Sequence, residues 1–417
     1  MPPAQWTNEF LTQMRAVGDE PADALVAALF KQGEVGQVND FMRTLVGNDD
    51  LPDDLPAPLA AFLAQSSQLP PWADVVRIGR AEDVFTDHGL LSLASLICAS
   101  LPECYTMATG VKILHLTNQL YKHPNRRLHQ TACMVLAVMF HGGLTPTGKG
   151  IRQTQKVRLI HAAIRYLILL DRPQQALTDD ARATADSVGE VVQFLDWQVP
   201  RDGYPINQED MAFTLLTFGY VIPRGLITLG VPLTITERED FLHIWNVVGH
   251  LMGLRDDLLA HTVDDAEFLF SRIKALEGRA SLAGQELTSS LLEVAAALLP
   301  IRILKALPPM LLRILVGDET ADMLDVEFRN RVPFRRVLLR VFATAAGGLD
   351  RVGRLLFAHF SVTAAMARWV GRRLIINLYT STEQGHRARL EIPDDLKARW
   401  NLEAVADAAP PGPPGAA

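Results

Sequence analysis

The sequence has few cysteines, few aromatic residues and no concentration of positive charge. Only three cysteines, Cys98, Cys104 and Cys133, occur in 417 residues, and their odd number and apolar surroundings argue against a disulfide framework or a cysteine metal site. Aromatic residues make up 7% of the chain and hydrophobic residues 48%, which is typical of a globular helical protein. The formal net charge is −7 without a run of like charges, so we expect no nucleic-acid partner.

Signals for secretion and for membrane insertion are also absent. The N-terminus contains neither a basic start followed by an apolar run nor a twin arginine, so we expect a cytoplasmic protein. No segment reaches the roughly 18 uncharged apolar residues of a transmembrane helix. The closest one, Leu291–Val316, is interrupted by charged residues and prolines. We therefore predict no transmembrane segment and leave open a peripheral contact with lipid.

Apolar residues recur at three- and four-residue steps along most of the chain, whereas strand-like alternation is nearly absent. This periodicity predicts an all-α protein. We divide the chain into an N-terminal helical segment and loop (1–57), one large helical domain (58–400) and a disordered tail rich in Pro, Gly and Ala (401–417). Two predicted helices, Arg126–Phe140 and Ile151–Leu170, are separated by only about ten residues, so they should be antiparallel neighbours.

The second of these helices carries one histidine between two arginines, in the stretch KVRLIHAAIRYLIL. Arg158, His161 and Arg165 follow one another at steps of three and four residues, so they share one face of the helix. The two positive charges disfavour protonation of His161, and the neutral imidazole is the form that binds a metal. The alternative is a core histidine bonded to a backbone carbonyl, with arginines that reach solvent.

The first helix, in NRRLHQTACMVLAVMF, has a stripe that begins polar and ends apolar. Arg127, Gln130 and Thr131 form the polar part, and Met134 and Val138 follow on the same face. Buried polar side chains on such a stripe need partners or a ligand. If the two helices are neighbours, one offers a metal ligand and the other offers polar donors beside it.

The loop between the two helices contains the order GxxxxGK of a phosphate-binding loop, from Gly143 to Lys149. The apolar run before it would be a strand, and Tyr166–Asp171 would be the acidic partner strand. Gly150 stands where a Ser or Thr hydroxyl should bind magnesium, and the supposed acidic strand continues the helix of His161. A P-loop nucleotide-binding protein is therefore kept as a secondary alternative.

Two acidic motifs are better explained as a loop and as helix ends. Asp49–Asp53 has the DDxxD pattern with which isoprenoid synthases hold magnesium diphosphate, but Pro52 disfavours one shared helix face and favours a solvated turn. The pairs Asp256–Asp257 and Asp264–Asp265 have the wrong spacing for a shared metal, and roles at helix ends explain them.

Three motifs together resemble the family of haem b oxygenases that includes the rubber oxygenases (latex clearing proteins) and the fungal oxygenase of the mycophenolic acid pathway. The motifs are RRLHQT, KVRLIHAAIR and YPINQEDMAFTLLTFG, the last followed by WNVVGHLMGL, and the resemblance covers roughly Pro71–Val316. It implies a single helical domain with globin-like packing around one buried haem b. It also implies an oxygenase that uses dioxygen, with an unidentified reductant, on an apolar alkene-bearing substrate, either a small molecule or a polyprenyl chain.

The resemblance also implies roles for individual residues. By position, His161 is similar to the proximal iron ligand, Arg127 and Thr131 to the distal pair, and Thr214 to an additional threonine near the haem. Two departures bear on the reaction. Gln130 stands where the rubber oxygenases have a lysine that can cap the iron, and Thr106–Gln119 contains no acid where those enzymes have a glutamate as a base.

The two arginines beside His161 have two predicted roles. Arg158 and Arg165 would pair with haem propionates, or else form buried ion pairs with acids such as Glu209 or Asp210.

Other hypotheses are left open by the sequence. One is a non-catalytic haem protein, a sensor or carrier, of the same fold; another is a helical protein without haem, in which His161 is structural. His129 and His141 lie within a few turns of the predicted site and are alternative iron ligands, although His129 should face away from Arg127 and Thr131.

Overall fold

Helices account for the regular structure, as the periodicity predicts. The computed structural model describes six stretches of the chain: residues 5–32, 55–120, 125–146, 148–169, 195–297 and 305–327. These stretches contain no β-strand, only an isolated bridge between Met107 and Gly278. The all-α prediction is confirmed, whereas globin-like packing stays a prediction. The α-helices are Asn8–Met14, Glu20–Gln32, Ala57–Gln65, Val75–Asp87, Gly89–Ser95, Leu101–Tyr105, Gly110–Leu120, Asn125–Met139, Lys149–Leu169, Val199–Asp202, Gln208–Leu216, Ile222–Thr228, Ile235–Leu251, Val263–Glu277, Leu282–Ala297, Leu307–Val316 and Asp318–Met323.

The helix that carries His161 lies between the N-terminal segment and the rest of the chain. One buried apolar cluster joins Lys149–Leu169 to Glu20–Gln32 and Ala57–Gln65, and the rings of Phe30 and Tyr166 stack with centroids 4.9 Å apart. The described N-terminal helices therefore pack directly on the predicted domain. The predicted boundary at residue 57 stays untested, because residues 33–54 lie outside the described residues, as does the predicted tail 401–417.

The loop from Phe140 to Gly148 brings two helices into close contact. Asn125–Met139 packs against Lys149–Leu169, as predicted for neighbours. A Cβ atom on Gly143 would lie 2.2 Å from the carbonyl oxygen of Ala137, and one on Gly150 would lie 2.8 Å from the same oxygen. These glycines allow the two helix ends to touch. The P-loop alternative is wrong, since the run before the loop is helical instead of a strand, and the described part of the supposed acidic strand, residues 166–169, belongs to the helix of His161.

The longest apolar helix runs without interruption through a π-helical turn. Gln208–Leu216 continues through Thr217–Val221 into Ile222–Thr228. By length and composition this helix could cross a membrane, contrary to our expectation, but 72% of its most apolar window is buried inside the protein. A buried core helix has the same length and composition, so this finding gives no support for a membrane span.

The remaining sequence motifs have structural roles or lie outside the described residues. None of the three cysteines forms a disulfide bond. Asp256 begins a short 3-10 turn, and Asp264–Asp265 lies in the first turn of Val263–Glu277, whose N-cap is Thr262. The aspartate-rich stretch Asp49–Asp53 is not among the described residues.

The contact between the two helix ends can be tested with a pair of glycine substitutions. Gly150→Ala puts a Cβ atom 2.7 Å from the carbonyl oxygen of Gly143, and we expect this overpacking to lower the free energy of unfolding by about 1–3 kcal/mol. Gly79→Ala is the matched control, since it is also helical and its Cβ atom would meet nothing within 4 Å. We expect the control to gain roughly 0.5–1 kcal/mol. Urea denaturation measures both, and equal shifts would refute the close contact.

Candidate functional site

His161 lies in the middle of Lys149–Leu169 and is surrounded by protein. Its Nδ1 atom is sealed from solvent and has no hydrogen-bond partner among the described residues, while the residue as a whole is half-buried. Burial, and secondarily the charge of Arg165, lower the pKa of His161 to about 3. The imidazole is therefore neutral at physiological pH, as the sequence predicts, although burial contributes more than the two arginines. A core histidine that donates from Nδ1 to a backbone carbonyl is thus not found among the described residues.

Both arginines beside His161 turn inward to acids of the N-terminal segment. Arg158 donates from Nε and Nη2 to the two carboxylate oxygens of Asp19 at 2.6 and 2.8 Å. Arg165 donates from Nε to Oδ1 of Asp23 at 2.7 Å. Asp19 and Asp23 are one helical turn apart, so a single short segment meets both arginines.

These contacts correct two interpretations of the sequence. The arginines do not reach solvent, and their acidic partners are not Glu209 or Asp210, because the N-terminal segment covers this side of the helix. All three guanidinium nitrogens of Arg158 have partners, the third being the carbonyl oxygen of Leu251 at 3.2 Å. Nη2 of Arg165 is buried without a partner among the described residues. Propionate pairing stays an untested prediction.

In the described part of the neighbouring helix Asn125–Met139, burial increases toward the C-terminal end. Thr131 and Met134 are half-buried, whereas the last turn, up to Met139, is buried. The side chains of Arg127 and Gln130 lie outside the described residues, so their predicted roles stay predictions.

Thr214 is an exposed residue on a helix that is otherwise almost wholly buried. In Gln208–Leu216 the other residue with accessible surface is Asp210, which is four residues away and therefore on the same face. The start of this helix is tied to the helix of His161, since Nη1 of Arg165 donates to the carbonyl oxygen of Ile206 at 3.0 Å. The helices of His161, Thr131 and Thr214 are thus linked, and each of the three residues keeps accessible surface.

Asp210 is a candidate site residue that the sequence reading missed. Its Oδ2 accepts a hydrogen bond from Nδ2 of Asn207 at 2.8 Å, and its Oδ1 faces Gly110, where a Cβ atom would lie 3.3 Å away. Burial is the main cause that raises the pKa of Asp210 to about 6. Asp210, a half-buried residue on the same helix face as Thr214, thus places its carboxyl group against the start of Gly110–Leu120, in the stretch that has no acid. In the sequence, the only hint of this contact is that residue 110 is a glycine, which has no side chain to keep the carboxyl group away.

The neighbouring acid, Glu209, differs from Asp210 because it is sealed from solvent. Neither of its carboxyl oxygens has a hydrogen-bond partner among the described residues, and Nη1 of Arg15 lies 3.8 Å from Oε2. The same guanidinium group contacts Glu277. Burial, followed by the charge of Asp210, raises the pKa of Glu209 to about 8, so this acid is mostly protonated at neutral pH.

The donor set fits a haem better than a metal ion held by protein side chains alone. Among the described residues, no group of three or more His, Cys, Asp or Glu side chains could hold a metal ion. Haem iron needs one axial ligand from the protein, and a neutral histidine is a common one. His141 is a poor alternative, because it is an exposed loop residue 3.4 Å from Asp83 and 3.6 Å from Glu82. The side chain of His129 lies outside the described residues.

Comparison with known proteins gives one family and one fold. The family described as "ER-bound oxygenase mpaB/B'/Rubber oxygenase, catalytic domain" matches residues 89–347. The chain is similar to the rubber oxygenase of Streptomyces sp. (strain K30), with 26% identity over 392 residues, 91% of this chain and 86% of that protein. Its fold is similar to that of latex clearing protein LCP in the closed state, with a TM-score of 0.63 at 23% identity, covering 91% of this chain and 95% of that one.

The buried Glu209 makes stability depend on pH. Between pH 4.5 and about 8 the unfolded chain releases this proton while the folded protein keeps it, so stability falls as pH rises through that range. We expect Glu209→Gln to remove this fall, which is on the order of a few kcal/mol. Denaturation midpoints measured from pH 5 to 8.5 test it, with the exposed Glu267→Gln as control. Parallel pH curves for wild type and Glu209→Gln would contradict the assignment.

Proposed function

Given that this chain belongs to the ER-bound oxygenase mpaB/B' and rubber oxygenase family, and is therefore an oxygenase, we propose that it uses a haem b ligated by His161 to oxidise an apolar, alkene-containing substrate with dioxygen. One observation carries the cofactor assignment. His161 is a neutral imidazole whose Nδ1 has no hydrogen-bond partner in the part of the chain that the structure describes, and it lies inside the matched region on a helix that packs against Asn125–Met139.

The residues of this chain have separate tasks in the proposal. His161 would hold the iron through one ring nitrogen, and the other nitrogen would carry the proton of the neutral ring. Thr131 and Thr214 would supply hydroxyl groups, and Arg127 is the proposed charged donor of the site. When bound, haem b supplies the iron chemistry that activates dioxygen, while the protein supplies binding, orientation and polar donors.

The proposed substrate class rests on the similar proteins and on two positions where this sequence differs from them. The similar protein from Streptomyces is named a rubber oxygenase, which supports an apolar, isoprenoid-like alkene. Gln130 and the absence of an acid in Thr106–Gln119 separate this chain from the pattern of those enzymes. We therefore propose that the substrate is a small isoprenoid alkene and not the rubber polymer. Location in the cytoplasm stays a prediction.

Asp210 is the proposed proton-accepting group of the site. Its Oδ1 is the carboxyl oxygen that faces Gly110, and it lies on the same accessible face as Thr214. Burial keeps the pKa of Asp210 near 6, where a carboxylate is a stronger base than an exposed one and is still ionised at neutral pH. In this proposal, Oδ1 of Asp210 is the base, in place of the glutamate that the rubber oxygenases have in the stretch matching Thr106–Gln119.

The cofactor assignment predicts a difference between two buried histidines. We expect purified wild-type protein, after addition of haem, to show a Soret band that shifts on reduction with dithionite. His161→Ala should lose or shift this band. His243→Ala is the matched control, because His243 is also buried and has a pKa lowered to about 4, but its Nε2 already accepts a hydrogen bond from the backbone N–H of Asp74 at 2.9 Å. A wild-type protein that stays colourless would end the haem proposal.

The substrate assignment predicts transfer of oxygen atoms to an alkene. We expect the reduced protein, under ¹⁸O₂, to place label in the products of a short isoprenoid alkene, detected by mass spectrometry. A parallel reaction with cis-1,4-polyisoprene distinguishes a small-molecule enzyme from one that acts on the polymer. Label in neither substrate would contradict the proposed substrate class.

The role of Asp210 predicts a specific pH profile. Because the carboxylate is the active form, kcat/KM should rise with pH through about 6 in the wild type. Asp210→Asn should lose this rise and lower activity by about 10²–10⁴-fold. Asp264→Asn, an exposed acid in the first turn of another helix, is the control that keeps the wild-type profile. An unchanged profile in Asp210→Asn would exclude Asp210 as the proton acceptor.

A further inference from the structure

Each arginine beside His161 joins three parts of the chain. Arg158 binds Asp19 through two hydrogen bonds and also donates to the carbonyl oxygen of Leu251, at the end of Ile235–Leu251. Arg165 binds Asp23 and also donates to the carbonyl oxygen of Ile206. One arginine precedes His161 by three residues and the other follows it by four, so the turn that carries the histidine is held on both sides.

The acids that hold these arginines are themselves fixed by close packing. The carboxylate of Asp19 lies against Gly253, where a Cβ atom would be 2.4 Å from Oδ2. The backbone around them is held as well, because Nε2 of Gln208 donates to the carbonyl oxygens of Gly18 and Gly253 at 2.8 and 2.9 Å. These contacts hold the segment from Gly18 to Asp23 in place, and its acids in turn restrict the movement of the two arginines.

The charge beside His161 depends on the same acids. Nδ1 of His161 has no acceptor among the described residues, and Arg165 is the charged group that acts on the ring, in the direction that disfavours protonation. A histidine bound to iron commonly donates its second N–H to a carboxylate or a carbonyl, which makes it a stronger ligand. Here Asp23 neutralises the neighbouring guanidinium group instead of accepting from the ring.

We propose that Asp19 and Asp23 are positioning residues for His161, and that Asp23, through Arg165, sets the reduction potential of the haem. This inference rests on the proposed haem function. Both acids lie outside residues 89–347, the region that matches the family. The N-terminal segment therefore belongs to the site although the matched catalytic region does not include it.

The midpoint reduction potential of bound haem tests whether the charges of Asp23 and Arg165 act on the iron in the expected direction. Asp23→Asn leaves the charge of Arg165 uncompensated, which favours the reduced iron, so the midpoint potential should move to more positive values. Asp23→Glu should keep the wild-type potential, and Arg165→Gln should move it to more negative values. Asp264→Asn, an exposed acid, is the matched control and should leave it unchanged. Equal potentials in Asp23→Asn, Arg165→Gln and wild type would overturn the proposal.

A double variant keeps the test valid if Asp23→Asn does not fold. Asp23→Asn combined with Arg165→Gln removes both charges and leaves no buried charge unpaired. Its midpoint potential should lie near that of the wild type and should be more positive than that of Arg165→Gln. A double variant with the same potential as Arg165→Gln would show that Asp23 contributes nothing.

A measurement without haem separates this proposal from the haem assignment. In haem-free protein with ¹⁵N-labelled histidine, the ring signals of His161, identified by their loss in His161→Ala, should shift in Asp19→Asn and Asp23→Asn and stay in place in Asp264→Asn. Absence of a Soret band in the wild type would defeat the haem function and leave this result standing. Unchanged ring signals in both acid variants would defeat the positioning role itself.

Discussion

The structure depends on two interior ion pairs, the buried pair of Asp19 with Arg158 and the partly buried pair of Asp23 with Arg165. A guanidinium group in the interior is costly unless it is paired and fully hydrogen-bonded. Here each group has a carboxylate and a backbone carbonyl within 3.2 Å. One carbonyl ends Ile235–Leu251 and the other lies just before Gln208–Leu216, so the arginines also fix where these two helices meet the helix of His161. The protein around them then seals Nδ1 of the histidine from solvent.

This arrangement explains why one histidine stays neutral in a charged neighbourhood. Burial lowers the pKa of His161 more than the charge of Arg165 does, and the acids prevent the arginines from acting with their full charge. The same burial has the opposite effect on the carboxyl groups of Glu209 and Asp210, whose pKa values rise. A single physical cause, removal from water, therefore produces a neutral base and two weak acids in linked helices.

Local patterns in the sequence predicted the helices well, because periodicity and helix ends depend on near neighbours. The helix predicted as Ile151–Leu170 is Lys149–Leu169, and the one predicted as Arg126–Phe140 is Asn125–Met139. The partners of Arg158 and Arg165 could not be predicted in the same way. They are 139 and 142 residues away, and an acid such as Glu209 is an equally good partner until the packing is known. The side-chain roles of Arg127 and Gln130 rest on the resemblance alone.

The distance in sequence between the paired charges also constrains how the protein folds. Asp19 and Asp23 leave the ribosome long before Arg158 and Arg165, so during synthesis the acids remain hydrated and unpaired. Closing chain loops of 139 and 142 residues carries an entropy cost that local helix formation does not have. We therefore expect the helix of His161 to form before its charges are neutralised, and Glu20–Gln32 to dock late. Until that helix docks, the chain would have the secondary structure of the site without the acids that pair with its arginines.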